Sequence, residues 1–564
     1  MIVRKEDIKY FSYPNPQFRR DKYQILDSEC DFFIYRNDDD SLLRKTKILI
    51  PYAYETPKSG VHDETMYQHV AYYLEFEVDK LSNYLLHFQA VDYECDVYIN
   101  NQFVGNHRGG YTSFNFDVTK FLVLGKNTLV VDVRDSFSKA QLRGKQREVK
   151  ESHECWYVQT TGIYKSIYLE ECGSNQIEKA YFSGDKNGIV SYKIKTTSPE
   201  NLNIDISFKG KSVKTLQLSG QTCYEGTFKL EQYHLWKENV GNLYDVKLVL
   251  AGEKEDVVST YFGFRTIEAK GSSIYLNDEK VFLRLILNQG YYEHQGVTLN
   301  KENILEDFNL MRQFGFNGCR IHQKVEDPLL YYLADYYGFY LWSELPSCYE
   351  YSDEMKKEIN RDLFLIIDQY YNCPSIITYV IFNESWGIPR IVNDVEMQEY
   401  VSRLKDTVKA YDNTRLVIAN DGWNNLTNTD ILSLHEYEQD AQAFYKAYVD
   451  KDAVIYKNII NGYGKAFADN QTYNNQPIII SEFGGIAICQ QEGWGYGDKA
   501  DNILTLRERM KKLFDSIYKL DYISGFCYTQ LTDVYQETNG LVYENRNVKL
   551  SAEEVKYIVC GGNL

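Results

Sequence analysis

The chain has 564 residues, 44% of them hydrophobic, and a net charge of 62 − 80 = −18. That length allows roughly three or four domains, and that apolar content supplies their cores, which excludes a disordered chain. The acidic balance argues against nucleic acid or an anionic membrane as the main partner.

The eleven cysteines are odd in number and show no CxxC or other zinc spacing, which favours buried thiols in a reducing compartment. The opening MIVRKEDIKYFSYPNPQF lacks the apolar core of a signal peptide, and no run approaches the roughly 18 apolar residues of a membrane span. The expectation is a soluble cytoplasmic protein that binds no membrane.

Residues 1–173 read as all-β. Runs such as YYLEFEV, YLLHFQAV, CDVYIN and TLVVDV alternate apolar and polar residues between turn signals at Asn100-Asn101 and Gly125-Lys126-Asn127. Short strands at this spacing predict a sandwich or jelly roll. Residues 174–266 repeat the pattern with GIVSYKIKT, LNIDISFK, YDVKLVLAG and VSTYFGF, enough for a small immunoglobulin-like sandwich.

From 267 to 564 the rhythm becomes strand then helix. Eight strands are predicted: Val281–Leu287, Asn317–Ile321, Phe339–Ser343, Ile376–Phe382, Leu416–Ala419, Ile431–Leu434, Ile478–Ser481 and Ile523–Tyr528. After the first, Asn300 can cap a helix whose Ile304, Leu305, Phe308 and Met311 share a face, with Gly315 just past its end. Eight strands with intervening helices predict a (β/α)₈ TIM barrel.

Two glutamates sit where apolar strands run out. Glu384 follows ITYVIF-Asn383 and Glu482 follows PIII-Ser481, at the ends of the predicted fourth and seventh strands. Barrel strands present catalytic side chains at their C-terminal ends. A carboxylate pair there suits glycosidic bond cleavage, in which one group donates a proton while the other attacks or activates water. Asn383 can bind a sugar hydroxyl, and Trp386 adds an apolar wall. An attacking Glu482 needs donors, for which Tyr437 and Arg320 are candidates.

The chain resembles glycoside hydrolase family 2 over essentially its whole length. The stretch AVDYECDVYINNQFVGNHRGGYTSFNFDVT and the closing Thr161-Gly162-Ile163-Tyr164 resemble the family's sugar-binding jelly roll. FGFRTIE resembles its junction into the barrel, Phe282-Leu283-Arg284 its first strand, and IFNESWG and ISEFGG its acid/base and nucleophile segments. The resemblance implies Glu384 as acid/base, Glu482 as nucleophile of a retaining double displacement, Asn383 as partner of the 2-hydroxyl and Tyr437 as partner of the nucleophile. Tyr528 stands where the family often has a sugar-stacking tryptophan.

Further candidates for substrate contact are Asp421 and Trp423 after the fifth strand, His322 and His435 at the mouth, Gln289 with Tyr291 and Tyr292 after the first strand, and Trp494 in an aromatic, glycine-rich loop. Glu344 is expected to orient Arg320. Arg143, Gly144 and Lys145 could contribute a loop to the pocket, but read first as a solvated charge run. Family glucuronidases carry an Asn-x-Lys pair near the last strand. Here Glu537-Thr538-Asn539-Gly540-Leu541 has no lysine, and Asn547-Val548-Lys549 lies too far along.

A terminal neutral β-linked sugar, β-galactoside first, is therefore expected as the glycone of an exo-acting hydrolase. Alternatives are a β-glucuronidase or another family 2 activity, such as β-glucosidase, β-mannosidase or α-L-arabinopyranosidase. A non-catalytic carbohydrate-binding protein is the alternative of another class. The chemistry requires no cofactor and no dedicated metal site, leaves room for a loosely bound cation, takes a glycoside or oligosaccharide as partner, and is compatible with a homo-oligomer.

Overall fold

The computed structural model describes residues 2–456 and 464–562. The first unit is a β-sandwich. Six strands pair in the order Leu42–Leu49, Glu29–Tyr35, His69–Val78, Gly125–Arg134, Glu94–Ile99 and Gln102–Arg108; four more pair as Tyr23–Ile25, Ile167–Cys172, Asn83–Phe88 and Phe114–Asp117. Alternation places Cys95, Val97 and Ile99 on the inner face of their strand, against Leu86, Phe88, Ile167 and Leu169 of the facing sheet.

The second unit is a smaller sandwich. A three-stranded sheet (Ile177–Gly184, Ile189–Thr196, Cys223–Lys229) faces a four-stranded one (Lys211–Leu218, Leu202–Phe208, Leu243–Leu250, Asp256–Gly263). A buried ion cluster ties the two sandwiches together. Arg20 Nη1 reaches Glu170 Oε2 at 2.7 Å, and Arg20 Nε reaches Asp256 Oδ1 at 2.8 Å.

The third unit is a nearly closed parallel barrel. Its strands are β1 (Leu283–Asn288), β2 (Gly318–Ile321), β3 (Tyr340–Glu344), β4 (Ile376–Asn383), β5 (Leu416–Asp421), β6 (Leu432–Glu436), β7 (Ile478–Gly484) and β8 (Ile523–Thr529). All neighbours form ladders except β5 and β6. Backbone bonds from Asp430 to Val417 and from His435 to Gly422, at 3.0 and 3.1 Å, span that seam.

The helices are α1 (Lys301–Gln313), α2 (Pro328–Tyr337), α3 (Asp353–Gln369), α4 (Val395–Tyr411), α5 (Ala441–Tyr448), α6 (Lys451–Tyr456), α7 (Ile503–Tyr518) and α8 (Ala552–Val559). Asn300 caps α1 by accepting from Asn303 N, as its sequence predicts. None of the helices among the described residues is long and apolar enough to cross a membrane.

Two sequence expectations need correction. Val281 is not in the barrel: it ends a three-stranded meander (Ile267–Lys270, Ser273–Leu276, Glu279–Val281) whose Ile267, Ile274 and Leu276 plug the barrel floor. Asn277 and Asp278, at φ 53° and 67°, form the tight turn that folds residues 279–281 back. The β5–β6 connection also has no helix. Its Gly, Asn, Thr and Asp residues satisfy backbone groups themselves, with Asp430 accepting from Val417 N at 2.9 Å and Asn425 donating to Ser433 O at 2.9 Å.

Candidate active site

Strand parity decides which side chains reach the barrel interior. Leu283, Leu285 and Leu287 of β1, Tyr340 and Trp342 of β3, Leu416 and Ile418 of β5 and Cys527 of β8 form its apolar lower layer. Continuing upward by twos, Gln289, Glu344 and Thr529 face inward. Gly318 and Arg320 do so on β2, as do Ser433, His435 and Tyr437 along β6 and beyond its end. On β7 the ladder to β8 skips a step between Ile480 and Phe483. Phe483 packs outward on Phe514 and Phe526, and Glu482 turns inward. Such bulges re-aim side chains beside active sites.

Glu384 reaches the mouth by a different device. It and Ser385 both adopt left-handed backbone conformations, φ 51° and 63°. This costs on the order of 1–3 kcal/mol per residue and persists only where the surroundings enforce it. Here Glu384 N donates to Asp421 O at 2.9 Å and Ser385 N to Asn420 Oδ1 at 3.0 Å.

Arg320, fully buried, is the hub. It donates to Glu344 Oε2, to Glu482 Oε1 at 3.1 Å and to Asn383 Oδ1 at 2.7 Å, and it pairs with Asp421. Burial opposes its charge, but Asp421, Glu344 and Glu482 hold the guanidinium well above its ordinary range.

His435 bridges two carboxylates, with Nδ1 at 2.8 Å from Glu384 Oε1 and Nε2 at 2.7 Å from Asp421 Oδ2. Burial works against an imidazolium here, yet Glu482 and Asp421 push it up to about 10. Asp421 is held below the usual carboxylate range: burial opposes this, and Arg320 with His435 outweighs it. Burial, with Lys145 and Arg320, pushes His322 well below its ordinary value, so its ring is neutral against Glu344. Burial raises the Glu344 carboxyl despite Arg320.

Glu482 is held from both sides, by Arg320 on Oε1 and by the Tyr437 hydroxyl on Oε2. Tyr437 also meets Thr529 Oγ1 at 3.2 Å and stacks on Tyr496, with ring centres 3.3 Å apart. One carboxylate oxygen of Glu384, one of Glu482 and one His435 nitrogen lie within 4.8 Å of one another. Both nitrogens of the His435 in this set are bonded to carboxylates.

Thus Glu384, Glu482, Asn383, Arg320, His322, Asp421, His435 and Tyr437 converge, with Glu344 beneath them. Trp386 forms a wall with Trp156 and Tyr349, at 5.6 Å from each ring. Trp423 packs edge-on against His435 at 5.7 Å. Trp494 sits at the rim, its Nε1 donating to Glu154 O of the first domain at 2.8 Å.

Gln289 begins a buried polar chain. It donates to Gln530, Gln530 to Asn539 and Asn539 to Glu537, at 2.8, 2.8 and 3.1 Å, and Tyr157 closes the chain on Glu537. Tyr291 packs on Tyr157, and Tyr292 lies against Arg546.

Tyr528 is placed outside the pocket. Because Cys527 faces inward, its neighbour points into the layer between β8 and α7, against Phe483 and Phe514.

The charge-run reading of residues 143–145 also fails, since Arg143 and Lys145 are 3% and 6% exposed. Arg143 N and Gly144 N both donate to Ser347 O of the barrel, at 2.9 and 3.0 Å. A Cβ on Gly144 would lie 2.1 Å from Gln323 O, so only glycine permits this approach. Lys145 then lies over Trp386, 5.2 Å from its ring centre. Lys549 instead clamps Asp533 at 2.7 Å under the loop after β8. Sequence reasoning held the pocket loop at 143–145 only as the lesser reading, and it missed Glu537. The available signal was Gly144 between two basic residues, a close-approach glycine where a solvated loop needs none.

Comparisons with known proteins agree with this architecture. Residues 45–172 match "Glycosyl hydrolases family 2, sugar binding domain", 175–265 match "Glycosyl hydrolases family 2" and 267–560 match "Glycosyl hydrolases family 2, TIM barrel domain". Among curated relatives, a putative beta-glucuronidase of Formosa agariphila is 28% identical over 61% of this chain and 43% of its own. A beta-galactosidase of Clostridium acetobutylicum is 23% identical over 88% of this chain and 56% of its own. The chain therefore spans about half the length of these relatives.

Among solved structures, a beta-glucuronidase of Bifidobacterium dentium superposes with a TM-score of 0.80 at 18% identity, covering 97% of this chain and 98% of that one. A GH2 beta-galacturonidase from Eisenbergiella tayi bound to galacturonate gives 0.76 at 18% identity, covering 96% and 98%. Sandwich, immunoglobulin-like unit and barrel thus each carry the mark of one family, and the chain belongs to glycosyl hydrolases family 2.

Proposed function

We propose that the protein is a retaining, exo-acting β-glycoside hydrolase that removes a terminal neutral sugar, β-galactoside-like, by double displacement. The observation that carries this reading is the separation of the two carboxylates, with an oxygen of each within 4.8 Å of the other. Retaining glycosidases hold their carboxyl groups about 5–5.5 Å apart, whereas inverting ones leave about 6.5–9.5 Å for a water.

In the first step Glu482 attacks the anomeric carbon as the glycosidic C–O bond breaks, and Glu384 gives its proton to the departing oxygen. In the second, Glu384 takes a proton from water, whose oxygen displaces Glu482 and restores the original configuration. Arg320 and Tyr437 aim the nucleophile. Asn383 Oδ1 accepts from Arg320, and no described residue accepts from its buried Nδ2, which leaves that donor for the 2-hydroxyl. Exo action is supported by the roof over the mouth, where Trp494 and Gln536 both bond to Glu154 O at 2.8 Å.

Nitrophenyl glycosides test the reading. Glu482→Ala is expected to lower kcat at least about 10³-fold with an unchanged melting temperature, and added azide to restore turnover as a glycosyl azide of inverted configuration. Wild-type rates in the variant would overturn it. An acidic glycone is the second reading, favoured by one observation: Lys145 brings a buried cation to the pocket.

A further inference from the structure

A cavity of about 900 Å³ lies beside the mouth, between the end of β6, α5 and α7. That volume is near the top of the roughly 300–1,000 Å³ range of pockets that take small molecules. Tyr437 and Tyr496 line it at the rim. The Tyr437 hydroxyl is bonded to Glu482 Oε2, so the cavity ends one side chain away from that carboxylate. From the rim it follows α5 from Ala441 to Ala447, about 9 Å along the helix axis. Alanines at 441, 443 and 447 leave the space between α5 and α7 unfilled.

The walls are fixed. Gln439 Nε2 donates to Gly484 O and Arg509 Nη1 to Asp498 O, each at 2.6 Å. Gly497, at φ 63°, lies so close that a Cβ there would come 2.5 Å from Gln439 Cγ. One loop thus serves two places: Trp494 bonds to the first domain as part of the roof, while Gly497 and Asp498 edge the cavity. On α7, Arg507 and Lys511 are paired with Glu554 and Asp515, at 2.9 and 2.6 Å. Arg509 and Lys512, on the cavity side, meet no carboxylate within 4.0 Å among the described residues.

We propose that this cavity holds the part of the substrate beyond the scissile bond, and that this part is a neutral oligosaccharide. The proposal rests on the glycosidase reading above and adds to it what the leaving group is. With the first-domain side roofed, the chain leaves past Tyr496, whose half-buried ring offers a surface to the C–H faces of sugars. Beyond it, Glu438, Asp440 and Asp498 can accept from hydroxyls, and Arg509 and Lys512 can donate to them. A hydroxyl answers both kinds of wall. Three carboxylates against two cations give an anionic chain no net counter-charge.

The test uses the full chain, the nitrophenyl β-glycoside it turns over fastest, and di-, tri- and tetrasaccharides ending in the same sugar. Wild-type kcat/KM is expected to rise at least about tenfold from di- to tetrasaccharide, mostly through KM. Ala443→Trp fills the cavity from an exposed position on α5. It is expected to abolish that rise while keeping kcat/KM on the nitrophenyl glycoside within about twofold. Lys512→Met, expected to remove several-fold of the rise, carries the test should the tryptophan variant fail to fold. Calorimetry of the tetrasaccharide on Glu482→Gln, with and without Ala443→Trp, gives a readout independent of turnover, with about tenfold weaker binding expected in the double variant. Indifference to chain length in the wild type would overturn the proposal, as would a rise that survives the groove substitutions or equal losses on nitrophenyl glycoside and tetrasaccharide. Turnover that survives Glu482→Gln, or no turnover of any glycoside, overturns the glycosidase reading itself.

Discussion

At the scale of single residues, the site is organised by a few buried charges and not by its two mouth glutamates alone. Arg320 touches groups from β3, β4, β5 and β7, so removing it would leave Glu344, Asp421 and Glu482 short of a partner. Breaking a buried pair in this way typically costs about 3–5 kcal/mol. His435 makes the electrostatics testable. Its imidazolium is held up to about 10 by Glu482 and Asp421 against the pull of burial. A group raised in the folded state contributes stability that is complete below its ordinary value near 6.5 and is lost as pH rises through about 10. Melting temperature is therefore expected to fall between pH 7 and 11, and His435→Gln to flatten that fall. A profile unchanged by the substitution would show that the charge resides elsewhere.

Elements explain which parts of the site were legible in the sequence. Barrel class and both carboxylates could be read because long apolar strands ended at Asn383-Glu384 and Ser481-Glu482. Arg320, His435, Tyr437 and Gln289 were legible from their places at or just past strand ends, and in the structure each continues an inward row. Tyr528 failed because its place was judged by analogy with a tryptophan and not by counting from Cys527, which faces inward. The bulge that turns Glu482 inward is also invisible in sequence, where Ser481 and Glu482 look equivalent. A paired substitution checks this account of β8. Tyr528→Phe, outside the pocket, is expected to keep kcat/KM within about twofold. Thr529→Val, which removes a hydroxyl from Tyr437, is expected to lower kcat several-fold. The reverse ranking would place the wrong face of β8 in the pocket.

Across the whole molecule, the sandwiches do more than flank the barrel. Local alternation predicted their strands, whereas a lone glycine between two basic residues was the slight local sign that residues 143–157 leave the first sandwich to complete a wall of the pocket. Charge also joins the units. Burial opposes ionised Glu170, yet His87 and Arg20 depress its carboxyl to about 2. A depressed carboxyl contributes stability present above its ordinary value near 4.5 and lost as pH falls through about 2. Acid unfolding is accordingly expected to begin with separation of the two sandwiches, seen by limited proteolysis between pH 4.5 and 2. Arg20→Met should bring that separation to higher pH, and identical cleavage patterns in the two proteins would count against it.

The contact at Gly144 carries a consequence for how the molecule comes into being. The loop bearing Lys145 can seat itself only after the barrel has shaped the surface around Gln323 and Ser347. The floor and one wall of the pocket are therefore completed in sequence as the chain matures. A newly folded barrel would already hold Glu384 and Glu482 while one side of the mouth stood open, and closure would arrive last, with the docking of a neighbour synthesised first.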